Sequence, residues 1–481
     1  MSYTVAQNTS FLTVASVLQK VISFFYFIFV ARMIQVENTG VYFFAITFTT
    51  IFTVVADFGM GPVLTREAAR FSDRAETYFN TVFWTKIMFG LGAYGLIVFF
   101  ANVLNYPEST KLLIYISGIT MFFDNLTTAF NSVFRARKNL VYESMAVIGS
   151  QFITLVIGTI ALFNHWSLVW LILAYTIPSF LNLLFMSQML KRVYGFVIKF
   201  VWNMEVFKIF LATALPFALA GIIGRLYSYS DSLLMSKMLT AKELGWWSVP
   251  YKITFAFQFV PVALSASVYP VFSSLFISQR DKIGQLFEKA WRYLFVVVFP
   301  LALGIIAIAD PVVKHAFGAQ YAPSIWPLRI LLLSLIFGFL TFITGALLNA
   351  TNKQKIQTGL VSVALVVNII LNLILLPIFN ITGAAIAALV SNVILCGLGL
   401  YFSTRQVEIN LKNIWHYLNQ TLWPALVMAV IVYALSFKLH YLITIVIGGI
   451  VYLGLLYITK VITKDIFLMI LNKVKLKRKV V

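Results

Sequence analysis

Lys20, Arg225 and Lys252 are three cations inside stretches otherwise suited to hydrocarbon. Each falls in an apolar run of about 20 residues, the length a helix needs to cross a bilayer core. At mid-bilayer a charge costs about 2.5–3.5 kcal/mol, so the three together cost about 8–10 kcal/mol unless something offsets them. Asp231 and Asp124 carry the opposite sign within spans and can neutralise part of that charge. Asp231 lies six residues from Arg225, however, and points to a different side of its own helix. The remaining interior is positive, which suits an anionic ligand group such as a phosphate or pyrophosphate. The competing reading is that the long side chains snorkel to an interface.

The uncharged polar residues follow helical spacing. Thr13, Ser16, Lys20 and Ser23 share a face of span 1, and Arg225, Ser228, Ser232 and Ser236 do so in span 7. Span 2 adds Thr47, Thr50, Thr53 and Asp57, and span 8 adds Lys252 and Gln258. Two readings stand: a hydrated cavity between the halves of the chain, or hydrogen bonds between helices. Arg32 and Lys237, at the outer ends of spans 1 and 7, either snorkel or form a cavity lip. Lys86 is read as snorkelling near the cytoplasmic end of span 3. Asp124, with Asn125, Thr127 and Asn131, is either a coupling site for a cation or proton or a structural network. The four histidines lack metal-ligand spacing, and no metal or cofactor is expected.

The elements that must position these residues follow from composition. With 61% hydrophobic and 11% charged residues over 481 positions, the chain is an integral membrane protein. Its runs are helices, since barrel strands would be about half as long and alternate in polarity. Fourteen spans are expected, centred near Ser23, Phe48, Leu91, Met121, Thr154, Tyr175, Ile222, Phe257, Val297, Leu333, Ile369, Leu389, Val430 and Val451. The N-terminus lacks the features of a cleaved signal and is retained as the first span. Cys396 is the only cysteine, which excludes an intramolecular disulfide and a cysteine metal cluster.

Orientation follows from the basic residues. With the N-terminus cytoplasmic, the inner segments hold Arg66, Arg70 and Arg74, Arg135 to Lys138, Lys191 to Lys208, Arg280 to Arg292, and a basic tail from Lys460 to Lys479. The outer segments hold only scattered cations such as Lys111 and Lys314. Both termini are therefore expected in the cytoplasm. The net charge of +20 fits anionic lipid headgroups, with no soluble module to present it to nucleic acid.

A shift of 205 residues lays Lys20 to Gly40 on Arg225 to Gly245, matching Lys20 with Arg225, Ser23 with Ser228, Met33 with Met238 and Gly40 with Gly245. A second alignment pairs Asp73 with Asp281 in the loops after spans 2 and 8. Because each half has an even number of spans, the repeat is parallel, about an axis along the membrane normal. The expected divisions are residues 1–205 (spans 1–6), 206–404 (spans 7–12) and 405–481 (a final helix pair and the tail).

There is no phosphate-cradling glycine loop, no H-E-x-x-H and no large outer loop of a membrane polymerase, so transport rather than catalysis is expected. "DFGMGPVLTREAAR", "SYSDSLLMSKMLTAKELGWWSVPYKI", "FGAQYAPSIWPLRILL" and "LNATNKQKIQTGLVSVALVVNIILNLILLPIFNITGAAIAALVS" resemble the polysaccharide-transporter (Wzx-type) branch of the multidrug/oligosaccharidyl-lipid/polysaccharide flippase superfamily, over about residues 8 to 400. The resemblance implies two six-helix lobes around a cavity lined by spans 1, 2, 7 and 8. It implies a substrate, a polyprenyl-pyrophosphate-linked oligosaccharide such as an O-antigen repeat unit, moved from the cytoplasmic to the outer leaflet. Other polysaccharide assembly proteins are implied partners. A cation-coupled multidrug exporter of the same fold is the alternative, and a membrane-embedded glycan enzyme a more distant one.

Overall fold

The computed structural model describes residues 5–459 and 461, with side chains from Phe11 onward. Among these residues every regular element is a helix, the form that satisfies its backbone groups within one segment when no water is present. Fourteen helices or helix pairs are long and apolar enough to span a membrane, and every expected centre from Ser23 to Val451 falls in one of them. The chain is a multi-pass membrane protein. The basic residues of the tail, Lys460 to Lys479, lie outside the described residues. Contacts divide the chain into two compact units, Met1–Ser248 and Val249–Val481.

The first unit holds α1 (Val5–Met33), α2 (Val36–Asp57), α3 (Met60–Arg70), α4 (Ala75–Val103), α5 (Glu108–Ala136), α6 (Val141–Phe163), α7 (Leu168–Tyr194), α8 (Met204–Met238) and the start of α9 (Ala241–Ala256). The halves of the sequence repeat were expected to divide after residue 205; the contact division falls later because α8 packs on α2, α3 and α4. At the centre, α5 touches α7, α4, α2 and α3. Two hydroxyl pairs tie these helices, Thr49 to Ser117 at 2.8 Å and Thr120 to Thr176 at 2.7 Å.

Span 2 is broken. Between α2 and α3, Phe58 and Gly59 both adopt left-handed backbone, with φ of 45° and 72°. Gly59 is required there for space as well as for its dihedral, since a Cβ would come within 2.9 Å of the Ala214 carbonyl oxygen on α8. At its other end α2 crosses the start of α9 with backbone against backbone. A Cβ on Gly40 would lie on the Ala241 carbonyl oxygen, and one on Gly245 would lie on the Val36 carbonyl oxygen. The shift of 205 that pairs Gly40 with Gly245 also pairs Val36 with Ala241, so each half of this contact maps onto the other.

The segment leaving α7 runs along α4. Asn80 accepts the Lys199 N–H at 2.9 Å and donates to the Val197 carbonyl at 3.4 Å, and the Trp84 indole donates to the Lys199 carbonyl at 2.9 Å. Asn203 then caps α8, accepting from Glu205 and Val206 N–H groups at 3.0 and 3.1 Å.

The second unit continues α9 and adds α10 (Phe259–Ser278), α11 (Lys282–Ala307), α12 (Ala309–Ala316), a 3-10 turn (Ala319–Ser324), α13 (Ile325–Ala350), α14 (Gln354–Phe379), α15 (Ile381–Thr404), α16 (Leu411–Ser436) and α17 (Tyr441–Ile458). Span 8 is also interrupted, between α9 and α10. The most enclosed helix, α13, packs on α15, α11 and α10. The final helix pair is held by α11. Buried Glu288 accepts the Asn410 N–H and the Asn413 amide, both at 2.8 Å. Arg292 donates to the Val461 carbonyl at 2.7 Å and lies over the Tyr417 ring.

Candidate functional site

The densest polar constellation of the first unit lies beside the break in span 2. Asp57 closes α2, and its carboxylate forms an ion pair with the Lys86 ammonium on α4. The Lys86 side chain is 0% exposed and that of Asp57 29%. The same ammonium reaches the Asn125 side-chain oxygen at 3.1 Å, the Asn125 carbonyl at 3.3 Å and the Thr128 hydroxyl at 2.6 Å, all on α5. Gly90, one turn beyond Lys86, lets α5 approach; a Cβ there would meet Phe122 at 2.8 Å and the Asn125 amide nitrogen at 3.3 Å. Beneath the cluster an apolar floor is built from Phe79, Phe83, Phe130 and Val133, with the Phe79 and Phe130 rings 5.2 Å apart.

Lys86 does not snorkel, contrary to the sequence expectation. Snorkelling needs a path to the interface along the lipid face of a helix, whereas Lys86 lies on the stripe Phe79, Val82, Phe83, Gly90 and Ala93, which is the buried face of α4. Two signals in the sequence pointed to this. Lys86 follows the apolar residues of that stripe at spacings of three, four and seven. It also matches Asp57 in depth: 13 residues separate Asp57 from Arg70 and 11 separate Ala75 from Lys86, about 20 and 16 Å along consecutive antiparallel helices.

The residues expected to bind an anion are placed differently. Lys20 on α1 and Arg225 on α8 are each partly buried, on helices with different neighbours: α1 packs on α6, and α8 on α2. Asp231, also on α8, is partly buried as well. Lys252 is partly buried in the second unit. Arg32 is exposed at the end of α1. Lys237 is tied to the loop after α4, with its amine 3.7 Å from the centre of the Tyr106 ring and donating to the Leu104 carbonyl. Tyr106 in turn bonds to Ser236 at 2.8 Å. Asp124 is hydrogen-bonded by Ser179 on α7. Several hydroxyls of the polar stripes bond within their own helices, as Thr50 does to Ile46, Thr53 to Thr50 and Ser228 to Gly224. Among the described residues no group of three or more metal-ligating side chains is assembled.

Comparison with known proteins places this geometry in a family. A family model described as "Polysaccharide biosynthesis protein" matches residues 29–326. The chain belongs to the polysaccharide biosynthesis protein family. A second model, described as lipid II flippase MurJ, matches residues 252–452. Relatives of this polysaccharide biosynthesis protein include the probable low-salt glycan biosynthesis flippase Agl15 of Haloferax volcanii, 25% identical over 36% of this chain and 37% of the relative. Another Haloferax volcanii relative, the probable flippase AglR, is matched over 35% of its length, so the chain spans about a third of these two relatives. The capsular polysaccharide biosynthesis protein CapF of Staphylococcus aureus is 20% identical over 83% of this chain and 99% of its own. The fold is shared with solved structures. Lipid II flippase MurJ in an inward closed conformation aligns over 92% of this chain and 97% of its own, with TM-score 0.74 and 18% identity. An inward-facing multidrug resistance MATE transporter aligns over 80% and 94%, with TM-score 0.69 and 16% identity.

Proposed function

We propose that this polysaccharide biosynthesis protein is a flippase. It carries a polyprenyl-pyrophosphate-linked oligosaccharide, a polysaccharide repeat unit, from the cytoplasmic to the outer leaflet by alternating access. The observation that carries this reading is the family match over residues 29–326, joined to a fold like that of a lipid II flippase over nearly the whole chain. The sorting of its buried charges supports it. Lys86 is enclosed and neutralised by Asp57, whereas Lys20, Arg225 and Lys252 remain partly exposed within spans. A positive surface within the membrane attracts a pyrophosphate. In the proposed cycle Lys20 and Arg225 of the first unit hold the pyrophosphate while the polyprenyl tail stays in lipid, Lys252 adds positive charge within its own span of the second unit, and Arg32 and Lys237 lie at the outer lip. Asp231 and Asp124 balance charge or couple the cycle to an ion. Both termini face the cytoplasm of the inner membrane, and other polysaccharide assembly proteins supply and receive the substrate.

The test is leaflet transfer of a lipid-linked oligosaccharide in vesicles containing the purified protein, with Lys20→Ala and Arg225→Ala as variants. Transfer by wild type, slowed by about tenfold or more in both variants, is expected. Full transfer by both variants would remove the site assignment. A second reading, a cation-coupled multidrug exporter, is favoured by the MATE-like fold; efflux of cationic dyes without lipid transfer would establish it instead.

A further inference from the structure

We propose that the Lys86 ammonium is a tethered cation: it fills an oxygen-lined site of the first unit that would otherwise take a monovalent metal ion, so that the site is charge-balanced without an ion from solution. The argument begins with which way each surrounding group points. Four oxygens converge on the amine: the Asp57 carboxylate, the Asn125 side-chain oxygen, the Asn125 backbone carbonyl and the Thr128 hydroxyl. The two that could have turned a donor inward have committed their protons elsewhere. The Thr128 hydroxyl donates to the Asn125 carbonyl at 2.7 Å, leaving its lone pairs toward Lys86. The Asn125 amide nitrogen donates to the Lys86 backbone carbonyl at 3.2 Å, which fixes its oxygen toward the ammonium. The four oxygens facing the amine all act as acceptors, and a neutral amine would leave the Asp57 carboxylate without the cation it is paired with, the more distant Arg135 being paired with Glu143.

One carboxylate, two carbonyl-type oxygens and a hydroxyl form a hard-oxygen ligand set. A single formal negative charge is balanced by one positive charge, which selects a monovalent ion over a divalent one. Asp57 keeps 29% of its side chain exposed, a path by which an ion can enter once the amine is gone. Gly61 keeps that corner open, since a Cβ there would sit 3.3 Å from the Asp57 carboxylate. None of this depends on which substrate the protein carries.

The experiment compares thermal unfolding of the purified full-length protein in sodium chloride and in N-methylglucamine chloride at equal ionic strength. Wild type should unfold at the same temperature in both. Lys86→Ala should unfold earlier in N-methylglucamine and recover by about 2–4 °C in sodium, the shift expected when an ion binds only the folded state. The double variant Asp57→Asn with Lys86→Met, which removes both charges, should show no sodium effect. A Lys86→Ala protein indifferent to the cation overturns the proposal, as does a double variant that responds like the single one. Should Lys86→Ala not yield folded protein, Lys86→Met keeps the packing of the stem and carries the same comparison. Failure of both variants to fold in sodium overturns the proposal too, because a free ion then cannot replace the amine.

Discussion

At the scale of single residues, the spans hold charges of two kinds. Lys86 is enclosed by protein and answered by Asp57, Asn125 and Thr128. Removing one partner of a buried pair costs about 3–5 kcal/mol, reduced here to about 2–3 kcal/mol by the partial exposure of Asp57. Lys86→Ala is therefore expected to lower the unfolding temperature clearly, while Lys20→Ala and Arg225→Ala leave it nearly unchanged. The order reverses for transport. Losing one charge-assisted contact of about 1.5–3 kcal/mol should slow transfer by about tenfold or more in Lys20→Ala and in Arg225→Ala, measured as the initial rate in vesicles. Equal losses of stability in all three variants would show that the distinction is wrong. Sequence reasoning singled out Lys20 and Arg225 because a charge in hydrocarbon stands out on its own. It missed the enclosure of Lys86 because the partner lies 29 residues away on another helix, so that only the apolar stripe of α4 read together with the depth of Asp57 would have shown it.

At the scale of elements, the third span of each half of the sequence holds down the chain that leaves that half. In the first unit Asn80 on α4 grips the backbone of Val197 and Lys199; in the second, Glu288 on α11 grips Asn410 and Asn413. The shift that pairs Asp73 with Asp281 also pairs Asn80 with Glu288, and this recurrence of role supports the parallel repeat. Glu288→Ala would leave the Asn410 and Asn413 donors without that acceptor, at about 1–3 kcal/mol. The expected result is a lower unfolding temperature and faster proteolysis in residues 405–410, with Glu288→Gln retaining most of the protection. Unchanged proteolysis in Glu288→Ala would show that α16 is held by its apolar face alone. The number and placement of the spans were legible, because about 20 apolar residues can do little else in a membrane. The breaks in spans 2 and 8 were marked only by single residues: Gly59 at the first, and at the second Pro261, which stands in the first turn of α10 and has no N–H to give the Phe257 carbonyl.

At the scale of the whole molecule, the described residues hold fourteen candidate membrane spans in a fold shared with a lipid II flippase, and the contact between the starts of α2 and α9 joins positions that the proposed sequence repeat equates. Because Gly40 and Gly245 play the same part in it, Gly40→Val and Gly245→Val should be similarly harmful. Each clash meets backbone that cannot swing aside, at a cost of about 1–3 kcal/mol. The double variant should cost less than the sum, since the first substitution already separates the helices the second would push apart. Thermal unfolding of the four proteins provides the comparison, and strict additivity would mean that the two glycines act in separate contacts. The closest approaches here are to peptide oxygens, while Glu37, Lys242 and Glu243 stand within two residues of them. Acid or salt can act on this crossing only through those side chains at its margin, not through the peptide contacts that close it.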